Sequence, residues 1–190
     1  MIQINMLLDI LHRMFPISHQ FRNEIIPFLT VISIKRGDKL LEIGKKVDLS
    51  WFLFSGFVIG RDELDDVTRL YKNKKIITDL PGFFEGKPAT IELTAVTDCE
   101  LLVLTREHYL LLEARNPETL KLKDHCIFLE NGTDADRTVM LRKKPLDRFL
   151  HFAQGYQFAL RHLPNRLCAS FVNVHETNYS KFKAWYFKRS

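Results

Sequence analysis
The spacing of apolar residues changes twice along this chain, and each change marks a different kind of structure. Near the start Ile4, Leu7, Leu8 and Leu11 recur three and four positions apart, the period of one helix face, and Pro16 ends that helix. Ser18 is placed to cap a second, short helix through Phe21, Ile25 and Ile26 to Pro27. From residue 31 to about 104 short apolar runs take over: VISIK, KLLEI, SWFLF, FVIG, TRLY, IITDL, TIELTAV and ELLVL. They are separated by Arg36-Gly37-Asp38, Gly44, Ser55-Gly56, Asp65-Asp66, Lys72-Asn73, Pro81-Gly82 and Asp98. Strand-length runs at that cadence, with glycine at the corners, predict an antiparallel sandwich or jelly roll.

The helical period returns at Thr105, which can cap a helix over REHYLLLEARN that stops at Asn116-Pro117. Leu122, Cys126, Leu129, Thr133, Asp136 and Met140 then alternate four and three apart, a heptad-like stripe that could pair two subunits. The competing reading packs the stripe on the chain's own β segment. Asn131-Gly132 predicts a break or kink, because glycine inside a helix costs about 1 kcal/mol relative to alanine. Pro145 opens a helix over LDRFLHFA, and another covers 156–162 before Pro164.

The last stretch has the pattern of a helix-turn-helix. Leu167, Ala169, Phe171 and Val172 can face a core, Asn173 tolerates the left-handed geometry of a tight turn, and Val174 is the apolar plug after it. Tyr179, Phe182 and Tyr186 form the inward stripe of a final helix. Thr177, Asn178, Ser180, Lys181 and Lys183 are left to face outward, where they can hydrogen-bond phosphates and base edges. His175 is a weak cap, which predicts a helix start shifted to Thr177.

Charge sharpens the picture. Residues 143–190 hold nine lysines and arginines against two acids, Asp147 and Glu176, a net of +7; the whole chain is +5, so the preceding 142 residues carry −2. A basic module attached to a mildly acidic one suggests a nucleic-acid partner, and the helix-turn-helix pattern within it points to double-stranded DNA. No histidine lies between His19 and His108, which removes the usual metal ligand from the β segment, and Cys99, Cys126 and Cys168 have no metal or disulfide spacing. Asp62, Glu63, Asp65 and Asp66 bunch at a hairpin tip, where a solvated turn explains them better than acid–base chemistry. No nucleophile has a base beside it, so the expectation is a protein that is not an enzyme. No apolar run reaches the roughly 18 residues of a membrane span, and the amino-terminal segment lacks a basic leader and a cleavage site; the expectation is a cytoplasmic protein with no membrane partner.

The segment LCASFVNVHETNYSKFK resembles the helix-turn-helix of the Crp/Fnr family of bacterial regulators. Ala169, Ser170, Phe171, Val172, Val174, Tyr179 and Ser180 fall on equivalent or similar residues, and Lys181 and Lys183 fall on arginines. The β half resembles the family's as well, with turn glycines at Gly37, Gly44 and Gly56, and with LTAVTDCELLVLTREHYLLL similar to its last strands and following helix. The resemblance implies an α+β protein: a cyclic-nucleotide-binding-like jelly roll with flanking helices over 1–116, a connecting and dimerisation helix over 117–142, and an all-α DNA-binding module over 143–190. It implies a homodimeric transcription regulator in which a change at the β-roll resets the spacing of two recognition helices.

Departures from the family pattern matter equally. Asn173 replaces the turn glycine, and Glu176-Thr177 replaces an Arg-Glu pair, so no arginine is placed to grip guanine bidentately and base readout falls to Thr177, Asn178 and Lys181. In the β-roll the resemblance places Thr78-Asp79 on a Gly-Glu step, Thr90 on a phosphate-contacting Ser or Thr, and Ala89 on the phosphate-binding arginine. Without that arginine a buried cyclic phosphate would depend on Lys87 and backbone amides near Gly86, and Pro88 removes one amide. The sequence therefore expects a small-molecule effector other than a cyclic nucleotide, or none, and no certain cofactor. Its rival is a non-enzymatic signalling or protein-interaction protein of the same fold that has lost DNA binding.

Overall fold
The computed structural model describes residues 2–189; Met1 and Ser190, the outermost positions of the two end segments, lie outside the described residues. Helices α1 (Ile2–Met14) and α2 (His19–Ile25) come first, the second capped by the Ser18 hydroxyl, which accepts from the Phe21 amide. Strands β1 (Thr30–Ile34), β2 (Lys39–Leu41), β3 (Leu49–Ser55), β4 (Phe57–Arg61), β5 (Val67–Lys72), β6 (Lys75–Ile77), β7 (Glu92–Ala95) and β8 (Cys99–Thr105) follow. They form two four-stranded sheets in the orders β1-β8-β3-β6 and β2-β7-β4-β5, with antiparallel pairing throughout, a jelly roll within an α+β chain.

The central strands read as unbroken apolar runs because both their faces are covered. Alternate residues Trp51, Leu53, Leu101 and Val103 enter the core between the sheets. Phe52 and Leu102 point the other way, onto Leu7, Leu8, Leu11 and Phe21 of the leading helices. At the corner between β3 and β4 the chain needs glycine: Gly56 has φ +104°, and a Cβ there would stand 2.6 Å from the Asp98 carbonyl oxygen.

One predicted strand is cut short. IITDL is extended only through Ile77, after which Asp79 caps a six-residue helix, α3 (Leu80–Glu85). Pro81 sits in that helix's first turn, where a missing N–H costs nothing, and Gly86 ends it at φ +75°.

Helix α4 (Arg106–Arg115) begins under the Thr105 hydroxyl, 3.1 Å from the His108 amide, and α5 (Glu118–Leu141) runs 24 residues without interruption. The expected break at Asn131-Gly132 is absent. Arg69 of β5 holds the helix on either side of that point, with Nε 2.6 Å from Glu130 and an Nη 2.7 Å from Asp134, which offsets the modest cost of one glycine.

Four helices complete the chain: α6 (Pro145–Gly155), α7 (Gln157–His162), α8 (Asn165–Phe171) and α9 (Glu176–Phe187). Phe149, Phe152, Phe171, Val172 and Tyr179 form their core, with the Phe149 and Tyr179 rings edge to face at 5.3 Å. Ile59 of β4 and Val67 of β5 belong to the same apolar cluster. The Val67 amide donates to the Ser170 hydroxyl of α8 at 2.8 Å, and Phe57 stacks on Phe158 at 5.9 Å. The helical module is thus seated directly on the β4–β5 hairpin as well as on the end of α5.

Candidate nucleic-acid interface and the cavity of the β-roll
The turn between α8 and α9 is built by backbone chemistry that the sequence spells out. Asn173 takes φ +51°, its amide donates to the Ser170 carbonyl at 2.9 Å, and the Val174 amide donates to the Ala169 carbonyl at 3.0 Å. These two bonds are the pair that closes a helix through a left-handed residue, and they turn the chain tightly into α9. His175 then serves as the cap: its Nδ1 accepts from the Thr177 amide at 3.3 Å, so α9 starts at Glu176 and not at Thr177 as the sequence suggested. An imidazole nitrogen supplies the acceptor that a threonine hydroxyl would have given. Arg148 fastens the turn from behind, donating from Nε to the Lys143 carbonyl at 2.8 Å and from Nη1 to the Asn173 carbonyl at 2.9 Å.

Tyr179 is fully buried, and burial beside the Cys168 thiol pushes its phenol far up. With that side chain inward, Thr177, Asn178 and Lys181 are exposed. His175, Glu176, Thr177, Ser180, Lys181 and Ala184 line a shallow open concavity on the outer face of α9. Ser180 lines that concavity but is half-buried, as is Lys183, the Ser180 hydroxyl accepting from Asn165 Nδ2 at 3.1 Å and the Lys183 ammonium donating to Asn165 Oδ1 at 2.9 Å. Lys183 follows Tyr179 by four residues and so lies on its side of the helix. Together the two residues brace α9 against the first turn of α8. Asn165, which the sequence reading passed over, is their common partner.

The electrostatics of the two halves differ. Among the described residues, the lysines and arginines that form ion pairs with carboxylates all precede residue 143, as in Lys39–Glu92 and Arg69–Glu130. Lys144, Arg161, Arg166, Lys181 and Lys188 are exposed on the helical module, with no carboxylate of the described residues within ion-pair distance. Its excess positive charge therefore faces solvent largely uncompensated.

In the β-roll, Thr78, Asp79 and Thr90 line one cavity of about 240 Å³ between α3 and α5. Gly86 and Lys87 stand apart from it, Gly86 closing α3 over Arg106 and Lys87 pairing with Glu85 at 2.5 Å on the surface. Thr78 donates its hydroxyl to the Leu49 carbonyl at 3.0 Å. Asp79 is 2% exposed, and its carboxylate accepts from the Gly82 amide at 2.9 Å and from both the amide and the hydroxyl of Thr90 at 2.7 Å. The donors that an anionic ligand would need are held by the chain's own carboxylate. Arg69, the one cation lining this cavity, is pinned between Glu130 and Asp134, which outweigh burial and hold its guanidinium charged.

A jelly roll followed by a long helix and a helix-turn-helix is the fold of the Crp/Fnr regulators, and comparison with solved structures bears this out. The chain is similar to FixK2 from Bradyrhizobium japonicum, with a TM-score of 0.74 and 11% identity over 85% of each chain. It is similar to the c-di-GMP-responsive global regulator CLP of Xanthomonas campestris, with a TM-score of 0.68 and 13% identity over 90% of this chain and 93% of that one. It also matches the catabolite activator protein of Thermus thermophilus, with a TM-score of 0.54 and 16% identity over 95% and 87% of the two chains. No protein-family model and no curated protein matches the sequence. Among the described residues no helix is long and apolar enough to cross a membrane.

Proposed function
We propose that this chain is a transcription regulator that binds duplex DNA as a homodimer, with α9 entering the major groove. The observation that carries the reading is the outer face of α9: Thr177, Asn178 and Lys181 exposed on a helix whose opposite side is locked by Tyr179, within a module of uncompensated positive charge. Thr177 and Asn178 can read base edges and Lys181 a base or phosphate, while Arg166 and Lys188 extend the basic surface. Ser180 and Lys183 act one step back, holding the angle between α8 and α9. The protein is not an enzyme on this reading.

The dimer seam lies elsewhere on α5 than the heptad count suggested. Leu122 and Met140 are buried in their own chain and Cys126 is half-buried, so both ends of that stripe are taken up within the chain, while Leu129, Thr133 and Asp136 between them stay exposed. One residue earlier, about 100° round the helix, Phe128, Gly132, Ala135 and Val139 form an exposed stripe at spacing four, three and four. Phe128 is 71% exposed, and a Cβ on Gly132 would meet nothing within 4 Å. Small residues mid-stripe let two copies of α5 approach closely, and two such chains would carry their α9 helices to successive major grooves, about 34 Å apart. The effector is not a cyclic nucleotide on this reading, because Asp79 already holds the donors of Thr90 and no free arginine faces the cavity.

Duplex binding measured by fluorescence anisotropy over a salt series tests the proposal. Affinity should fall steeply with salt, and Lys181→Ala should flatten the log–log slope by about one for the lost phosphate contact. No binding at low salt would transfer the fold to the rival role, a protein-interaction module.

A further inference from the structure
A second cavity, separate from the helix-turn-helix, lies where the leading helices, the outer face of the β3–β8 sheet and the start of α5 meet. Its volume is about 90 Å³, and its walls include Phe21, Phe52, Leu102, Leu112 and Leu122. Lys123, the one charged side chain on the lining, has its ammonium 3.8 Å from Glu113 and over the Phe84 ring. Ser50, Thr78, Tyr109 and Thr119 add hydroxyls to this mainly apolar surface, those of Thr78 and Tyr109 already bonded to the Leu49 carbonyl and to Glu113. Thr119 lines the cavity, is 4% exposed, and its hydroxyl has no hydrogen-bond partner among the described residues. Further along α5, Thr133 and Thr138 return their hydroxyls to the carbonyls four residues back, Leu129 and Asp134; in the first turn no carbonyl of the same helix lies below Thr119. A buried hydroxyl left unpaired is costly, and a partner supplied from the cavity would relieve it.

We propose that this cavity is a ligand site for a small uncharged molecule, an apolar body carrying one oxygen that pairs with Thr119, such as a short-chain alcohol, aldehyde or ketone. A dry apolar cavity of about 150 Å³ holds benzene, so 90 Å³ suits an occupant of roughly three or four heavy atoms. Leu122 and Cys126 of α5 share the lining with Thr119, so an occupant braces the first turns of the helix that bears the dimer seam. That consequence rests on the regulator reading; the binding itself does not.

The probes are 1-propanol and xenon, followed by methyl resonances of the full-length protein. Saturable shifts at the Leu112 and Leu122 methyls are expected with both. Thr119→Val keeps the shape and removes the hydroxyl, so xenon should bind as before and 1-propanol about 2- to 10-fold more weakly. Leu122→Phe should abolish both. No saturable shift with either probe, or equal weakening of both by Thr119→Val, overturns the proposal. Duplex affinity is then measured with and without saturating 1-propanol. Saturable methyl shifts with unchanged affinity keep the ligand site and refute its link to DNA binding.

Discussion

Replacing Asp79 with alanine removes the acceptor that joins α3 to the start of β7. The carboxylate caps α3 through the Gly82 amide and ties down Thr90 through two donors, all at 2.7–2.9 Å, with the residue 2% exposed. Losing the cap costs about 0.5–2 kcal/mol. Each donor left without a partner costs about 1–3 kcal/mol when it stays dry, but Thr90 is exposed and water can reach it from the adjoining cavity, which cuts that part down. The sum for Asp79→Ala is about 2–3 kcal/mol, and about half that for Asp79→Asn, which keeps one acceptor oxygen. Urea unfolding followed by Trp51, buried in the β-roll, measures it on a Trp185→Phe background that silences the exposed tryptophan. With a slope near 2 kcal/mol per molar urea, the alanine midpoint should drop by about 1–1.5 M. An Asp79→Ala midpoint within about 0.2 M of the parent would mean that the carboxylate does not hold this corner together, and the reason given for excluding an anionic effector would go with it.

Three further outcomes follow from other parts of the molecule. Ser170→Ala leaves the buried Val67 amide, now 2.8 Å from the serine hydroxyl, without that partner; it should cost about 1–2 kcal/mol and raise hydrogen exchange in α8 and α9 more than in the central strands, and uniform exchange would refute the docking. Phe128→Glu should turn a sedimenting dimer into a monomer while leaving thermal stability almost unchanged, since the side chain is 71% exposed; a wild-type protein that stays monomeric at tens of micromolar contradicts the seam. Burial and the Glu130 charge push the Cys126 thiol up to about 11, so at pH 8 roughly one molecule in a thousand is ionised, and iodoacetamide should label it about 100-fold more slowly in the folded protein than in urea. Labelling at the unfolded rate would show that α5 is not seated where Cys126 is placed.

The sequence was most informative where one local rule decides the structure. Ser18 and Thr105 cap the helices they precede, Asn173 takes the left-handed turn, and each strand of the jelly roll coincides with an apolar run. It misled where two rules compete. IITDL has a strand's composition, yet Asp79 before Leu80-Pro81 is also a helix start, and the cap won because its carboxylate reaches Thr90 as well. On α5 a heptad count treats every apolar residue alike, whereas Leu122 and Met140 belong to the chain's own cores, while Leu129, Thr133 and Asp136 stay exposed, as does the stripe one residue earlier. Lys183 is left outside by an inward stripe counted through Tyr179, Phe182 and Tyr186, although its spacing of four from Tyr179 puts it on that side of the helix, where it bonds Asn165. Asn165 carries no recognisable motif, and its bridging role emerges only once α8 and α9 are packed together.

The central claim is that the outer face of α9 meets a duplex, and amide hydrogen exchange with and without DNA tests it most directly. Bound duplex should slow exchange at the first turns of α9, around Thr177, Asn178 and Lys181, and at the start of α8, with the β-roll interior unchanged. Saturating duplex that leaves those amides as they were, or protects only the β-roll, would contradict the account.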